Sequence, residues 1–136
     1  MLLPLVSSPV HAQLEEVVVT ATKRAVAIQD ISGTVNVVSG DAIDRLRTFD
    51  FKDIEQQTAG LSLSAPNARN NNISLRGMST DPESGASAVV SVCWNDQPIR
   101  SDTAFGRIYD MERVEVLRGP QGTLQGRTSP GGSINL

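Results

Sequence analysis

The chain has 136 residues and a formal net charge of −3, from 12 basic and 15 acidic side chains with no long block of either sign. That length supports one domain burying about two thirds of its extended-chain surface, and the charge balance excludes the basic face that nucleic-acid binding requires. Aromatic residues make up only 4%, so a core must be built from Val, Ile, Leu and Ala, and ten of the twelve bases are Arg, the cation suited to bidentate pairing with carboxylates.

Residues 1–12 read as the end of a secretory signal. Leu2-Leu3-Pro4-Leu5-Val6 is apolar, Val10-His11-Ala12 fits a cleavage site, and Gln13 is the expected mature start. The basic start of such a signal is missing, and an ordinary terminus is the competing reading. Cleavage would remove His11, the sole histidine, and with it any Ser-His-Asp triad, Cys-His pair or His-ligated zinc site within the chain. Cys93, the lone cysteine, reads as a small buried side chain. No apolar run approaches the roughly 20 residues of a membrane helix.

Residues 13–30 form an extended N-terminal segment. In it, Glu15, Glu16, Val17, Val18, Val19, Thr20 and Ala21 favour an extended backbone through three consecutive Val and a Thr. Such a segment can add to another chain as a sheet edge or serve as the first strand of the domain's own sheet. Residues 31–136 then alternate short strands, short helices and polar loops. The pattern predicts a strand over Thr34 to Val38, a helix capped by Ser39 or Asp41 over Ala42, Ile43 and Leu46, and a second helix capped by Asp50. Phe51, Ile54 and Ala59 lie near one face of that second helix, and Gly60 sits where a terminating glycine is expected.

Leu61-Ser62-Leu63 and Ile73-Ser74-Leu75-Arg76-Gly77 alternate as strands, with Ile73 and Leu75 on one face. Three polar loops intervene, over residues 65–72, 78–87 and 101–106. Residues 88–94 are the most apolar strand, and Asn95-Asp96-Gln97-Pro98 turns the chain. Val114, Val116 and Leu117 mark a last strand. It runs into a segment with glycines at 119, 122, 126, 131 and 132, and with Arg118 and Arg127. No carboxylate follows Glu115, so those two arginines lack an acidic partner in the local sequence. The fold class expected is α/β (α+β), a small mixed sheet with short helices and long loops.

Catalytic motifs do not emerge. Residues 122–128 look like a phosphate-binding loop, but three residues separate the glycines where four are needed, and Arg127 replaces the lysine. Asp110, Glu112 and Glu115 have no nucleophile or metal pattern beside them and read as surface or ion-pair residues. The Asn cluster at 70–72 could coordinate a ligand or ion, with a solvated loop as its default reading. No catalytic residue, metal site or cofactor is expected.

Glu15 to Ala21, the Ile73-to-Gly77 strand and the glycine-rich run 112–136 occur in an order and spacing that closely resembles the plug domain of TonB-dependent outer-membrane receptors. The resemblance covers essentially the whole mature chain and implies a plug held inside a large antiparallel barrel. It implies ligand binding on the outer side, and engagement by the TonB protein, from the periplasmic side, of a box that Glu15 to Ala21 resembles, for active uptake of a ferric siderophore or similar large nutrient. Arg76 and Arg118 match plug arginines that face acidic residues of the barrel wall, and Arg127 is expected to do likewise.

By the same analogy, Asn67, Arg69, Asn70 and Asn71, then Ser79, Thr80 and Asp81, then Arg100, Ser101 and Phe105 are ligand-loop candidates. Gln97 stands where the family usually has glycine, and Gln125 where an aromatic is common. The box lies close to the mature N-terminus, which disfavours a preceding signalling domain. Leu136 falls where the first barrel strand is expected, so the reading is of an N-terminal receptor fragment lacking its barrel. Its place is the outer membrane as part of a receptor, or the periplasm if exported alone. The alternatives are a free-standing periplasmic binding module and a non-functional remnant.

Overall fold

The computed structural model describes residues 18–20, 26–31, 33–47, 50–66, 71–80, 84–105, 111–122, 126 and 128–136. The cleavage site expected before Gln13 lies outside them. In chain order the strands are β1 (Val18–Val19), β2 (Val26–Ala27), β3 (Thr34–Ser39), β4 (Leu61–Ser64), β5 (Asn72–Leu75), β6 (Val90–Trp94), β7 (Gln97–Ile99), β8 (Arg113–Arg118) and β9 (Gly132–Asn135). Helix α1 (Gly40–Arg45) follows β3, α2 (Ser101–Ala104) follows β7, and 3-10 turns span Ile28–Asp30 and Phe51–Gln57.

Five strands form one sheet in the order β3-β8-β9-β6-β7, in which only the β6–β9 pair is parallel. β1 pairs with β2, and β4 with β5, as separate antiparallel pairs. The sheet is therefore mixed, and its parallel pair lies in the interior, as parallel pairing favours.

Alternation along β8 decides what each face carries. Val114 and Val116 point into the main core with Val38, Val90, Val92 and Ile134, and α1, the second 3-10 turn and the β4–β5 hairpin cover them through Ile43, Phe51, Ile54, Leu61, Leu63, Ile73 and Leu75. Each large side chain buried here contributes about 1.5–3 kcal/mol. The opposite face of β8 bears Leu117, which packs with Val19, Ile28, Ile31, Val35 and Val37 in a second, smaller cluster. The N-terminal segment is thus a cover for the back of the sheet.

Several expectations change. Ser39 does cap α1, its Oγ accepting the Ala42 N–H at 3.3 Å. The helix stops at Arg45, which leaves Leu46 64% exposed. The second helix is a 3-10 turn, and three residues per turn aligns Phe51 with Ile54 but not with Ala59, which is exposed. Strand β5 ends at Leu75; Arg76 and Gly77 form the turn after it, with φ of 57° and 75°. The apolar strand begins at Val90 rather than 88.

The hairpin turn after it is only Asn95-Asp96, both at positive φ (48° and 63°), the geometry of a two-residue type I′ turn. Gln97 and Pro98 already belong to β7, an edge strand where proline costs no ladder bond. The third expected loop contains α2, after which the Phe105 ring meets Phe51 edge-on at 5.5 Å.

Candidate functional site

β8 connects the two ends of the molecule. Its first residue, Arg113, lies at the end where Asn95 donates its N–H to the Leu136 carbonyl, and its last, Arg118, pairs across to Thr34 and Gly132 at the other. Chemistry-bearing side chains gather at both ends.

At the first end the N-terminal segment docks on the sheet. Val19 is fully buried. The Thr20 N–H donates to both carboxylate oxygens of Glu115, at 2.9 and 3.1 Å, and its hydroxyl donates to Oε1 at 3.3 Å. Arg113, two residues along β8 on the same face, donates from Nη1 to the Val18 carbonyl and brings Nε to 3.9 Å from Glu115 Oε1. Glu115 is only 1% exposed. Of the three carboxylates read as surface or ion-pair residues, it is a buried ion-pair member; Glu112 is exposed and also pairs with Arg113, while Asp110 lies outside the described residues. A buried ion pair survives because each charge is satisfied by the other and by further hydrogen bonds. Of the seven box candidates the structure describes Val18, Val19 and Thr20; Glu15, Glu16, Val17 and Ala21 lie outside.

At the opposite end a cleft of about 700 Å³ opens between the loops. Asn71, Thr80, Arg100 and Ser101 line it. Asn71 is buried, and its Oδ1 has no hydrogen-bond partner among the described residues. Thr80 is engaged internally, accepting the Val89 N–H at 2.7 Å and donating to the Ser87 carbonyl at 3.3 Å. Arg100 pairs with Asp102 at 3.1 Å. The Arg100 guanidinium, assisted by the Thr103 N–H, holds the Asp102 carboxyl below the usual carboxylate range. Ser79 is exposed and does not line the cleft, and Phe105 packs on Phe51. Asn67, Arg69, Asn70 and Asp81 lie outside the described residues.

The two described plug-type arginines converge on one turn. Arg76 donates its backbone N–H to the Gly60 carbonyl at 2.9 Å, and Arg118 donates from Nη2 to the Ala59 carbonyl. Among the described residues neither forms an ion pair and the buried Arg118 Nε has no hydrogen-bond partner. Arg127 lies outside. Among the described residues no group of three or more His, Cys, Asp or Glu could hold a metal ion, and no helix is long and apolar enough to cross a membrane.

The sequence reasoning passed over Arg113 entirely. Its signal was period-two alternation: Arg113, Glu115 and Leu117 share a face of β8, so opposite charges meet beside an apolar residue.

Residues 27–133 match the family model of the TonB-dependent receptor plug domain. The chain belongs to that family. The pesticin receptor of Yersinia pestis is 31% identical over 142 residues, spanning all of this chain and 21% of the receptor. The ferrichrome outer membrane transporter/phage receptor of Escherichia coli K12 is 27% identical over 86% of this chain and 16% of its own length. Among solved structures, the ferric yersiniabactin uptake receptor FyuA from Yersinia pestis superposes with a TM-score of 0.67 and 30% identity, over 76% of this plug and 16% of that receptor. The chain spans about a fifth of the length of the pesticin receptor. Short helices on a mixed sheet are therefore the plug fold, as expected, and the relatives are receptors rather than enzymes.

Proposed function

We propose that this plug gates a TonB-dependent outer-membrane receptor that takes up a ferric siderophore or similar large nutrient. The observation that carries the reading is the placement of the two sites. A short extended segment, Val18–Thr20, whose main-chain groups are held by Arg113 and Glu115, sits at one end of the sheet, and the polar cleft sits at the other, with β8 running between them. TonB takes the segment from the periplasmic side by adding a strand to it, a mode in which main-chain hydrogen bonds supply affinity. The ligand meets the cleft from outside, where Asn71, Arg100 and Ser101 offer polar contacts.

Arg76 and Arg118 face the barrel. An arginine nitrogen, Arg118 Nε, buried without a partner among the described residues is accounted for by a carboxylate on the enclosing wall, since leaving a buried donor unpaired is costly. The receptor acts in the outer membrane; the plug exported alone would stay in the periplasm.

The test is Val18→Pro in a receptor carrying this plug. Proline removes a ladder donor and restricts the backbone, so energised uptake should be lost while equilibrium ligand binding to cells is retained. Normal uptake in this variant would remove the box assignment.

A further inference from the structure

Residues i and i+2 of an extended strand direct their peptide groups to the same edge. The Val18 carbonyl and the Thr20 N–H therefore form the acceptor and donor that flank Val19 on one edge of the segment. An incoming strand fills such a pair with one N–H and one C=O. Here the pair is already filled, by the Arg113 guanidinium on the Val18 carbonyl and the Glu115 carboxylate on the Thr20 N–H. The two side chains stand two residues apart on β8 and beside each other in space, with Nε and Oε1 3.9 Å apart. One offers only donors and the other only acceptors.

We propose that Arg113 and Glu115 act as a surrogate β-strand, competing with the strand of the TonB partner for the same two main-chain groups. The proposal rests on reading this segment as the box. Its content is that the resting plug is self-inhibited through two named side chains and not merely through burial of Val19. Partner binding must first displace them, and any movement of β8 that withdraws them exposes a ready-made strand edge. β8 is hydrogen-bonded to β3 and β9 on its two sides and ends at Arg118 by the Ala59 turn, so a shift imposed there is carried to the latch by a continuous ladder.

The experiment compares three species for binding to the purified periplasmic domain of TonB: a synthetic peptide of residues 13–24, the 136-residue chain, and that chain with Arg113→Met and Glu115→Leu together. Replacing both charges by apolar side chains of similar size avoids stranding a buried charge, and such replacements are often neutral or stabilising. Glu115→Gln is the gentler second variant. It keeps one acceptor for Thr20 and weakens the ion pair, and an intermediate effect is expected. The peptide should bind, the wild-type chain about tenfold or more weaker, and the double variant close to the peptide; tenfold is the scale of one lost charge-assisted hydrogen bond.

In the absence of TonB, exchange of the Thr20 amide should accelerate in both variants while the Val116 and Ile134 amides keep their protection, which separates release of the latch from unfolding. Equal affinity of wild type and variants, with the peptide binding normally, overturns the latch and leaves the box standing. A peptide that does not bind overturns the box assignment and the latch with it. Unchanged Thr20 exchange in a folded double variant also overturns the latch.

Discussion

Gly132 shows how strictly single positions are set. A Cβ there would lie 2.2 Å from the Leu117 carbonyl oxygen and 2.7 Å from Leu75 Cδ2, at a φ of 143° that side chains rarely adopt. Gly60 also has positive φ, 77°, but a Cβ there would meet nothing within 4 Å. The two glycines separate conformation from collision. Gly60→Ala should cost about 1–2 kcal/mol, the left-handed penalty alone. Gly132→Ala should cost about 3 kcal/mol or more, from strain together with overpacking against a backbone that has no room to move. Urea unfolding of the two variants checks the order, and equal losses would mean that β9 shifts to admit the methyl group.

Among the elements, the β6–β7 hairpin gives a prediction of the opposite sign. Its type I′ turn places Asn95 and Asp96 at positive φ, and the sequence Asn-Gly suits that geometry best. Asp96 also buries an Oδ1 that has no hydrogen-bond partner among the described residues. Asp96→Gly keeps the backbone N–H that reaches Asn135, removes the orphaned oxygen and relieves the backbone. It should stabilise the domain by about 1 kcal/mol, read as a raised thermal midpoint; a lowered midpoint would mean that the carboxylate has a role in holding the hairpin.

What the sequence made legible follows from local rules. Strands with clean alternation, such as Leu61-Ser62-Leu63 and Ile73-Ser74-Leu75, announce their buried face directly, and a Ser or Asp before an apolar run marks a helix start. What stayed hidden depends on neighbours remote in sequence. β9 reads as glycine-rich loop because Gly-Ser-Ile-Asn has little intrinsic preference for extension; it is a strand because β8 and β6 supply ladders on both of its sides. Glu115 looked like a surface or ion-pair carboxylate for the same reason. Only docking of the chain 95 residues away makes it buried.

At the scale of the whole molecule, the plug is a sheet that carries different chemistry at its two ends. The cleft end carries Asn71 Oδ1, without a hydrogen-bond partner among the described residues, and the Arg100–Asp102 pair, the groups proposed to meet a ligand. The other end carries the main-chain groups of Val18 and Thr20, covered by β8 side chains. Arg76 and Arg118 gather at the Ala59–Gly60 turn without an ion pair among the described residues, and that flank is the proposed contact for a barrel wall. In the proposed function, gating is a change in how the plug is held at one end that alters what is offered at the other.

The direct test is a cysteine cross-link in cells. Cys93, the native cysteine, is fully buried and gives little background. A receptor carrying this plug with Val18→Cys is paired with cysteines placed along the periplasmic domain of TonB, and Ser62→Cys, exposed on β4, serves as the comparison. The account predicts a disulfide adduct at position 18 that increases when ligand is added, and none at position 62. No adduct at position 18 under any condition, or equal adducts at both positions, would contradict it.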